Sequence, residues 1–403
     1  MKRAGKLNLA PSVLAKEPAA VPSAALALIE WLVSDDCHEL DDAGLIAGLG
    51  RRLRAAGLPL DRLTLHLRTL HPEIYGRTIA WAPQEPIEIR DRDHGVLSAK
   101  LFVGSPLHRV METRETAIIR LTDPDGPVWT QIDVFRSRQL TEFVMVPLCN
   151  AAGPVSAICF CTTNPLGFSA LDLVLLERIQ PALRNVCELR TLRQTELTLL
   201  DTYIGAGTAQ RILAGHIRRG QVETLEAALM LCDMRGFTEL SNRLPEERVL
   251  GILDAYFDRV IPAITAAGGE VLKFMGDAVI AFFHHADAAA SCAAALQGAK
   301  LALRQLAEFE SPDAVLESTL ALHYGKVSYG NIGSGQRLDF TLIGPDVNLL
   351  SRIQGRCATT GHQMLASATF ASHLAADLFV TAGDHPLKGF AAPVPLYTLA
   401  DPL

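Results

Sequence analysis

Apolar and polar positions along the chain change period several times, and each change marks an element. Ala24 to Val33 and Asp41 to Ala56 carry apolar residues at helical spacing, the second opening after Asp41-Asp42 and closing near Gly57. Leu63 to Leu70 then alternates apolar and polar side chains, the period of a half-buried strand. Between Gly76 and Cys161 short runs such as Ala117 to Leu121, Phe143 to Leu148 and Val155 to Thr162 are divided by Gly, Pro and Asp clusters, which predicts an antiparallel sheet. Leu171 to Leu200 returns to the helical period, with Leu173, Leu176, Ile179, Leu183 and Val186 on one broad stripe.

The second half alternates strands and helices. An apolar run from Leu229 to Cys232 precedes a helix over Pro245 to Ala267, stopped by Gly268-Gly269. A hairpin follows over Glu270 to Phe283, turning at Met275-Gly276. An alanine-rich helix over Asp287 to Leu306 leads to strands near Leu316 to Tyr324 and Lys326 to Asn331. The order β-α-β-β-α-β is that of a ferredoxin-like core, so the fold class is α+β. Such a fold hosts many functions and decides none of them. The chain thus divides into a loose leader (1–22), an N-terminal helical and antiparallel-sheet domain (23–170), a helical linker (171–226) and the ferredoxin-like domain (227–403).

Composition narrows the function classes. With 403 residues, 49% hydrophobic and 20% charged, the chain is long enough for more than one core. A net charge of -7 argues against nucleic acid as the main partner. The most apolar window, Phe143 to Cys161, contains Pro147, Asn150, Gly153 and Pro154, and reads as two strands and a turn rather than a membrane span. The basic start, Met1 to Lys6, leads into no sustained apolar region, so a cytoplasmic protein with eight reduced cysteines is expected.

The chemistry is concentrated in the second half. Asp233 and Asp277 each close a strand-like run, where side chains converge on a ligand. Two neighbouring carboxylates repel, and hard divalent cations such as Mg²⁺ or Mn²⁺ relieve that repulsion. Asn348 and Arg352 lie four apart, so on a helix they share a face; the guanidinium suits phosphate oxygens and the amide suits a sugar. Taken alone each has a bland reading: a helix cap, a hairpin-turn aspartate, a solvated lysine at Lys273.

Together these residues resemble the class III nucleotidyl cyclases over 227–399. Asp-Met-Arg-Gly-Phe-Thr at 233–238, Lys-x-x-Gly-Asp at 273–277 and Gly-x-x-Val-Asn-x-x-x-Arg at 344–352 stand in the family's order and spacing. The resemblance implies that Asp233 and Asp277 bind two Mg²⁺ or Mn²⁺ ions on the phosphates of ATP, that Lys273 and Thr341 read adenine, and that Asn348 and Arg352 orient the ribose and stabilise the transition state. Lys388 resembles a late phosphate-binding lysine. The Lys/Thr pair, in place of a Glu with a small residue, implies adenylate rather than guanylate formation and resembles subclass IIIb. In that family one subunit offers the metal ligands and its partner the purine pair, Asn and Arg; holding both sets implies a homodimer with shared sites. Departures are Pro345-Asp346 after Gly344, Leu349-Leu350 before Ser351-Arg352, and Cys232 where alanine is frequent. Residues 60–195 are loosely similar to a GAF sensory domain, which implies an unknown small-molecule or protein signal. The alternatives are a non-catalytic nucleotide- or partner-binding module of the same fold, and a guanylate cyclase.

Overall fold

The structure, a computed structural model, describes residues 20–100, 102–123, 129–130, 132–151, 154–309 and 315–401. The expected leader lies outside the described residues up to residue 19. The chain forms two compact units, Met1–Leu199 and Leu200–Leu403. Among the described residues, no helix is long and apolar enough to cross a membrane.

The first unit opens with helices α1 (Ala20–Leu32) and α2 (Asp42–Ala55). Asp41 caps α2, its carboxylate accepting from the Gly44 amide at 2.7 Å, which stops an unpaired N–H from opposing the helix start. Six strands follow: β1 (Arg62–Arg68), β2 (Ile74–Trp81), β3 (Glu88–Asp93), β4 (Ala117–Arg120), β5 (Glu142–Cys149) and β6 (Val155–Thr162). They form one sheet in the order β3-β2-β1-β6-β5-β4, every pair antiparallel, as the alternation predicts. Pro147 is tolerated inside β5 because β4 pairs only as far as Met145, leaving a free edge where proline's missing donor costs nothing.

The two faces of this sheet differ. Leu63, Leu65, Leu67, Ile79, Ile158 and Phe160 point to one face and are buried against α1, α2 and the long helix α3 (Ala170–Ile204). The other face carries a smaller core around Tyr75, Phe102, Val110, Phe143 and Met145. Cys159 and Cys161 share that face with sulfurs 3.6 Å apart, and all eight cysteines are free thiols, buried except for Cys149.

The second unit holds eight strands: β7 (Val222–Met234), β8 (Glu270–Met275), β9 (Ala278–Phe283), β10 (Ser318–Gly333), β11 (Leu338–Ile343), β12 (Met364–Ser367), β13 (Phe379–His385) and β14 (Val394–Leu399). Helices α4 (Glu246–Ala266), α5 (Ala288–Ala307) and α6 (Pro345–Thr360) connect them. The order β13-β14-β12-β10-β7-β9-β8, with β11 on β10, contains the expected β-α-β-β-α-β core. Two runs differ from the sequence reading. β7 begins at Val222, inside the expected connector, and the two strands expected around Gly325 are one sixteen-residue strand. Glu223, Glu226 and Lys326 are exposed, so these stretches lack the apolar period although the Val222–Gly330 ladder pairs them residue by residue.

β7 shows how the sheet is held. Ala228, Met230, Cys232 and Met234 pack under α4 and α5, while Leu225, Ala227, Leu229 and Leu231 pack on the α6 side. Burying both faces is what fixes the register, because a one-residue slip would exchange the two sets.

Candidate active site

Asp233 continues the odd-numbered side of β7, so it emerges on the α6 face where the leucine row ends. Its neighbours in the ladder are Thr319 of β10 and Ala278 of β9. Beneath it, the buried Cys232 thiol lies 2.9 Å from Ser318 Oγ and 3.2 Å from the Tyr256 hydroxyl, and burial pushes that thiol up to about 11. Ser318 Oγ also donates to the Asp233 carbonyl at 3.0 Å. The strand end under the carboxylate is therefore fastened by a polar cluster that alanine at 232 would not make.

Asp277 sits in the two-residue turn between Met275 and Ala278. Gly276 takes φ +69° there, a conformation glycine adopts without a Cβ penalty at the first central position of a tight hairpin. The turn falls one residue later than the sequence reading placed it. Ala278 pairs with Asp233, so the turn delivers Asp277 beside the other carboxylate. Burial raises the proton affinity of both aspartates, and the charge of Asp277 raises that of Asp233 further.

A third residue belongs to this corner and escaped the sequence reading. Gln354 of α6 is buried and donates from Nε2 to Thr319 Oγ1 at 2.7 Å and to Thr319 O at 3.1 Å. A hydrogen bond from its side chain favours the charged form of Asp233. Its Oε1 is buried without a hydrogen-bond partner. A polar side chain on the buried face of an amphipathic helix is the only signal sequence offers for it. Arg235, two residues after Asp233, pairs with Glu317 at 3.2 Å.

Lys273, expected to read the purine, has an ion-pair partner that the sequence reading did not include. Lys273 Nζ lies 2.6 Å from Asp339 Oδ2. β9, β7 and β10 separate β8 from β11 in the sheet, so the sheet curls to bring these residues together. Thr341, two residues along β11 from Asp339 and buried, shares its side of that strand.

Asn348 and Arg352 are exposed on α6. Arg356, one further turn along, donates to the carbonyl of Pro386, which ties the segment carrying Lys388 to the Asn348–Arg352–Arg356 stripe. Lys388 itself is exposed, next to buried Leu387. Helical geometry advances about 100° per residue, so Arg352 and Asn348 lie roughly 200° and 240° around α6 from Gln354. The residues thus fall into two sets, with Asp233, Asp277 and Gln354 at one corner and Asn348 and Arg352 on another side of α6. Asp346, at the start of α6, explains one departure from the family pattern: its Oδ2 accepts from the Lys326 amide at 2.7 Å and its Oδ1 lies 3.3 Å from buried His323 Nε2.

The carboxylate corner fits hard divalent cations. Its donors are oxygens alone, their charges repel, and among the described residues there is no group of three or more His, Cys, Asp or Glu that would make a closed metal cage. Such a corner leaves coordination positions for phosphate and water.

The family description "Adenylate and Guanylate cyclase catalytic domain" matches residues 221–399. An adenylate cyclase of Anabaena cylindrica is 29% identical over 168 residues, covering 40% of this chain and 33% of that protein. Adenylate cyclase 1 of Rhizobium meliloti (strain 1021) is 29% identical over 163 residues, covering 39% and 24%. Among solved structures, a bacterial light-regulated adenylyl cyclase matches with TM-score 0.47 and 27% identity over 55% of this chain and 65% of that one. The adenylyl cyclase CyaB from P. aeruginosa matches with TM-score 0.40 and 26% identity over 45% and 97%. The chain spans a third or less of these two curated relatives. Residues 221–399 are thus similar to adenylate and guanylate cyclase catalytic domains.

Proposed function

We propose that the chain is an adenylate cyclase that converts ATP to 3′,5′-cyclic AMP and pyrophosphate, at sites shared between two copies of the chain. The observation that carries this reading is the placing of Asp233 beside Asp277 at the open end of a cyclase-family sheet, with burial and mutual charge disfavouring their ionised forms until a cation binds. In the reaction, the ribose 3′-oxygen forms a bond to the α-phosphorus, the bond from that phosphorus to the bridging oxygen breaks, and pyrophosphate leaves while the hydroxyl proton passes to solvent. Two bound Mg²⁺ or Mn²⁺ ions would supply charge neutralisation on the triphosphate and a lower pKa for the attacking hydroxyl.

The side chains divide the remaining work. Asp233 and Asp277 hold the cations, and Gln354 steadies Asp233 in its ionised form. Lys273, held by Asp339, offers a donor to an adenine ring nitrogen, and the Thr341 hydroxyl serves the adjacent edge. Arg352 places a planar fork on phosphate oxygens as negative charge shifts toward pyrophosphate, Asn348 orients the ribose, and Lys388 adds a cation to the phosphates. Because Asn348 and Arg352 face away from the carboxylates of their own chain, a second copy related by a twofold axis supplies them.

The first unit, in this reading, is a GAF-like sensory domain coupled through the 171–226 linker. Helix 206–213 supports such coupling, since Thr208 Oγ1 lies 2.8 Å from the buried Tyr329 hydroxyl, which donates to Glu270 Oε1 at 2.6 Å at the start of the Asp277 hairpin. The test is purified protein with ATP or GTP and Mn²⁺ or Mg²⁺, the product identified by chromatography. Cyclic AMP from the wild type and none from Asp277→Ala is the expected result. Product from Asp277→Ala at the wild-type rate defeats the assignment.

A further inference from the structure

One face of the first unit's sheet carries a chemistry that the cyclase reading does not use. Along β1, Arg62 and His66 alternate on the side opposite the main core; along β3, Glu88, Arg90 and Arg92 do the same. The register sets these strands around β2, with His66 opposite Thr78, Thr78 opposite Arg90, and Ala80 opposite Glu88. With Arg138 from beyond the helix at 132–137, they line a cavity of about 250 Å³. Val134, Phe135 and Leu140 close one wall.

The charge in this cavity does not balance. Four guanidinium groups meet two carboxylates: Glu88 lies 3.3 Å from Arg62, 3.4 Å from Arg90 and 3.4 Å from Arg138, and Glu85 lies 3.3 Å from Arg138. Among the described residues Arg92 has no acidic partner, although it is half-buried. Leaving a half-buried guanidinium uncompensated is costly, and proteins ordinarily pair such a group. Burial and the neighbouring charge of Arg90 pull its proton affinity down, while Arg92, Arg62 and burial hold His66 down to about 3. The imidazole is therefore neutral, and its Nδ1 lies within hydrogen-bond distance of the Thr78 hydroxyl at 3.1 Å. The guanidinium groups of the cavity outnumber the carboxylates that face them.

We propose that this cavity is a binding site for a small organic oxyanion, a carboxylate or a phosphate, whose charged head is taken by Arg92 with Arg62 and Arg90 and whose body packs on Val134, Phe135 and Leu140. The volume suits a metabolite-sized molecule rather than a polymer. A guanidinium cluster gives such a head bidentate hydrogen bonds with charge assistance. Glu88 occupies the place of the ligand's charge when the site is empty, so it competes with the ligand. The site stands whether or not the second unit turns over ATP.

The test measures thermal shift and calorimetric binding on the full chain, with inorganic phosphate in one arm, succinate in the other, and sodium chloride of equal ionic strength as control. A saturable stabilisation by phosphate or by succinate, beyond the chloride control, is expected, and the arm that gives it identifies the head group. Arg92→Gln should weaken that binding roughly tenfold, or about 1.4 kcal/mol. Glu88→Gln should tighten it severalfold by removing the internal competitor, and this variant decides the matter if Arg92→Gln does not fold by circular dichroism. No saturable shift in either arm, unchanged affinity in folded Arg92→Gln, or weaker binding in Glu88→Gln would each overturn the proposal.

Discussion

Mixing two inactive variants should restore a defined fraction of activity. Gln354 anchors one side of α6 to Thr319, the strand neighbour of Asp233. Arg352 and Asn348 lie roughly 200° and 240° around a helix about 10 Å thick from Gln354, and the proposed dimer has the partner chain supply them to the carboxylates. A twofold dimer then contains two sites, each taking Asp233 and Asp277 from one chain and Asn348 and Arg352 from the other. Asp277→Ala alone and Asn348→Ala alone should each be nearly inactive. When equal amounts exchange subunits, about half of the dimers are mixed, and each mixed dimer has one site intact and one doubly damaged. Activity should therefore recover to about one quarter of the wild-type value per total protein. The assay is cyclic AMP formation by chromatography after co-expression with two different tags, and mixed dimer isolated on both tags should show about half of the wild-type value. Mixed dimer no more active than the sum of its parents would refute the reasoning, and so would wild-type activity in a chain shown to be monomeric.

Other consequences follow from the same contacts. Asp233 and Asp277 both bind protons more tightly in the fold than ordinary aspartates, so their contribution to stability is present below the ordinary aspartate range and is lost as pH rises through their folded values. In chelator at pH 7, Asp277→Asn should thus melt above the wild type, with the gap closing as pH falls toward the ordinary range; a lower melting temperature at pH 7 would count against the repulsion. The same variant should lose at least about a hundredfold in kcat and no longer be stabilised by Mn²⁺. Lys273→Ala should cost about ten- to a hundredfold in kcat/KM for ATP while changing stability by less than about 1 kcal/mol, because its pair with Asp339 is partly exposed; unaltered kcat/KM would remove Lys273 from the purine site. Tyr329→Phe leaves Thr208 and Glu270 without their shared partner and should lower unfolding free energy by about 1 to 3 kcal/mol in urea titrations. A neutral result would show that the 206–213 helix is not held there.

The parts of the site that sequence revealed are those whose chemistry is local. A carboxylate at a strand end, a glycine-aspartate turn, and an amide and guanidinium one helical turn apart each leave a pattern within a few residues, and three such patterns in register are what singled out Asp233, Asp277, Asn348 and Arg352 as candidates. Asp339 and Gln354 were not legible because their roles arise across the sheet. Three strands intervene between Lys273 and Asp339, and Gln354 is marked only by being polar on a buried helix face. The arms of β7 and β10 were misjudged for a related reason. They are held by long-range pairing to each other, not by an apolar period of their own.

β3 carries that lesson furthest. Glu-Ile-Arg-Asp-Arg-Asp has no apolar face and reads as a loop, yet it pairs along its length with β2 as the edge of the first sheet. Charged residues on an edge strand discourage pairing with another sheet, which accounts for Arg77 joining Asp91 on one side at 2.6 Å. It does not account for Glu88, Arg90 and Arg92 on the other side, where the strand faces a cavity and Arg92 has no acidic partner among the described residues. Solvent alone would satisfy those charges at lower cost than a half-buried pocket does. An edge strand whose charges line a cavity rather than face open solvent is thus what the oxyanion proposal rests on.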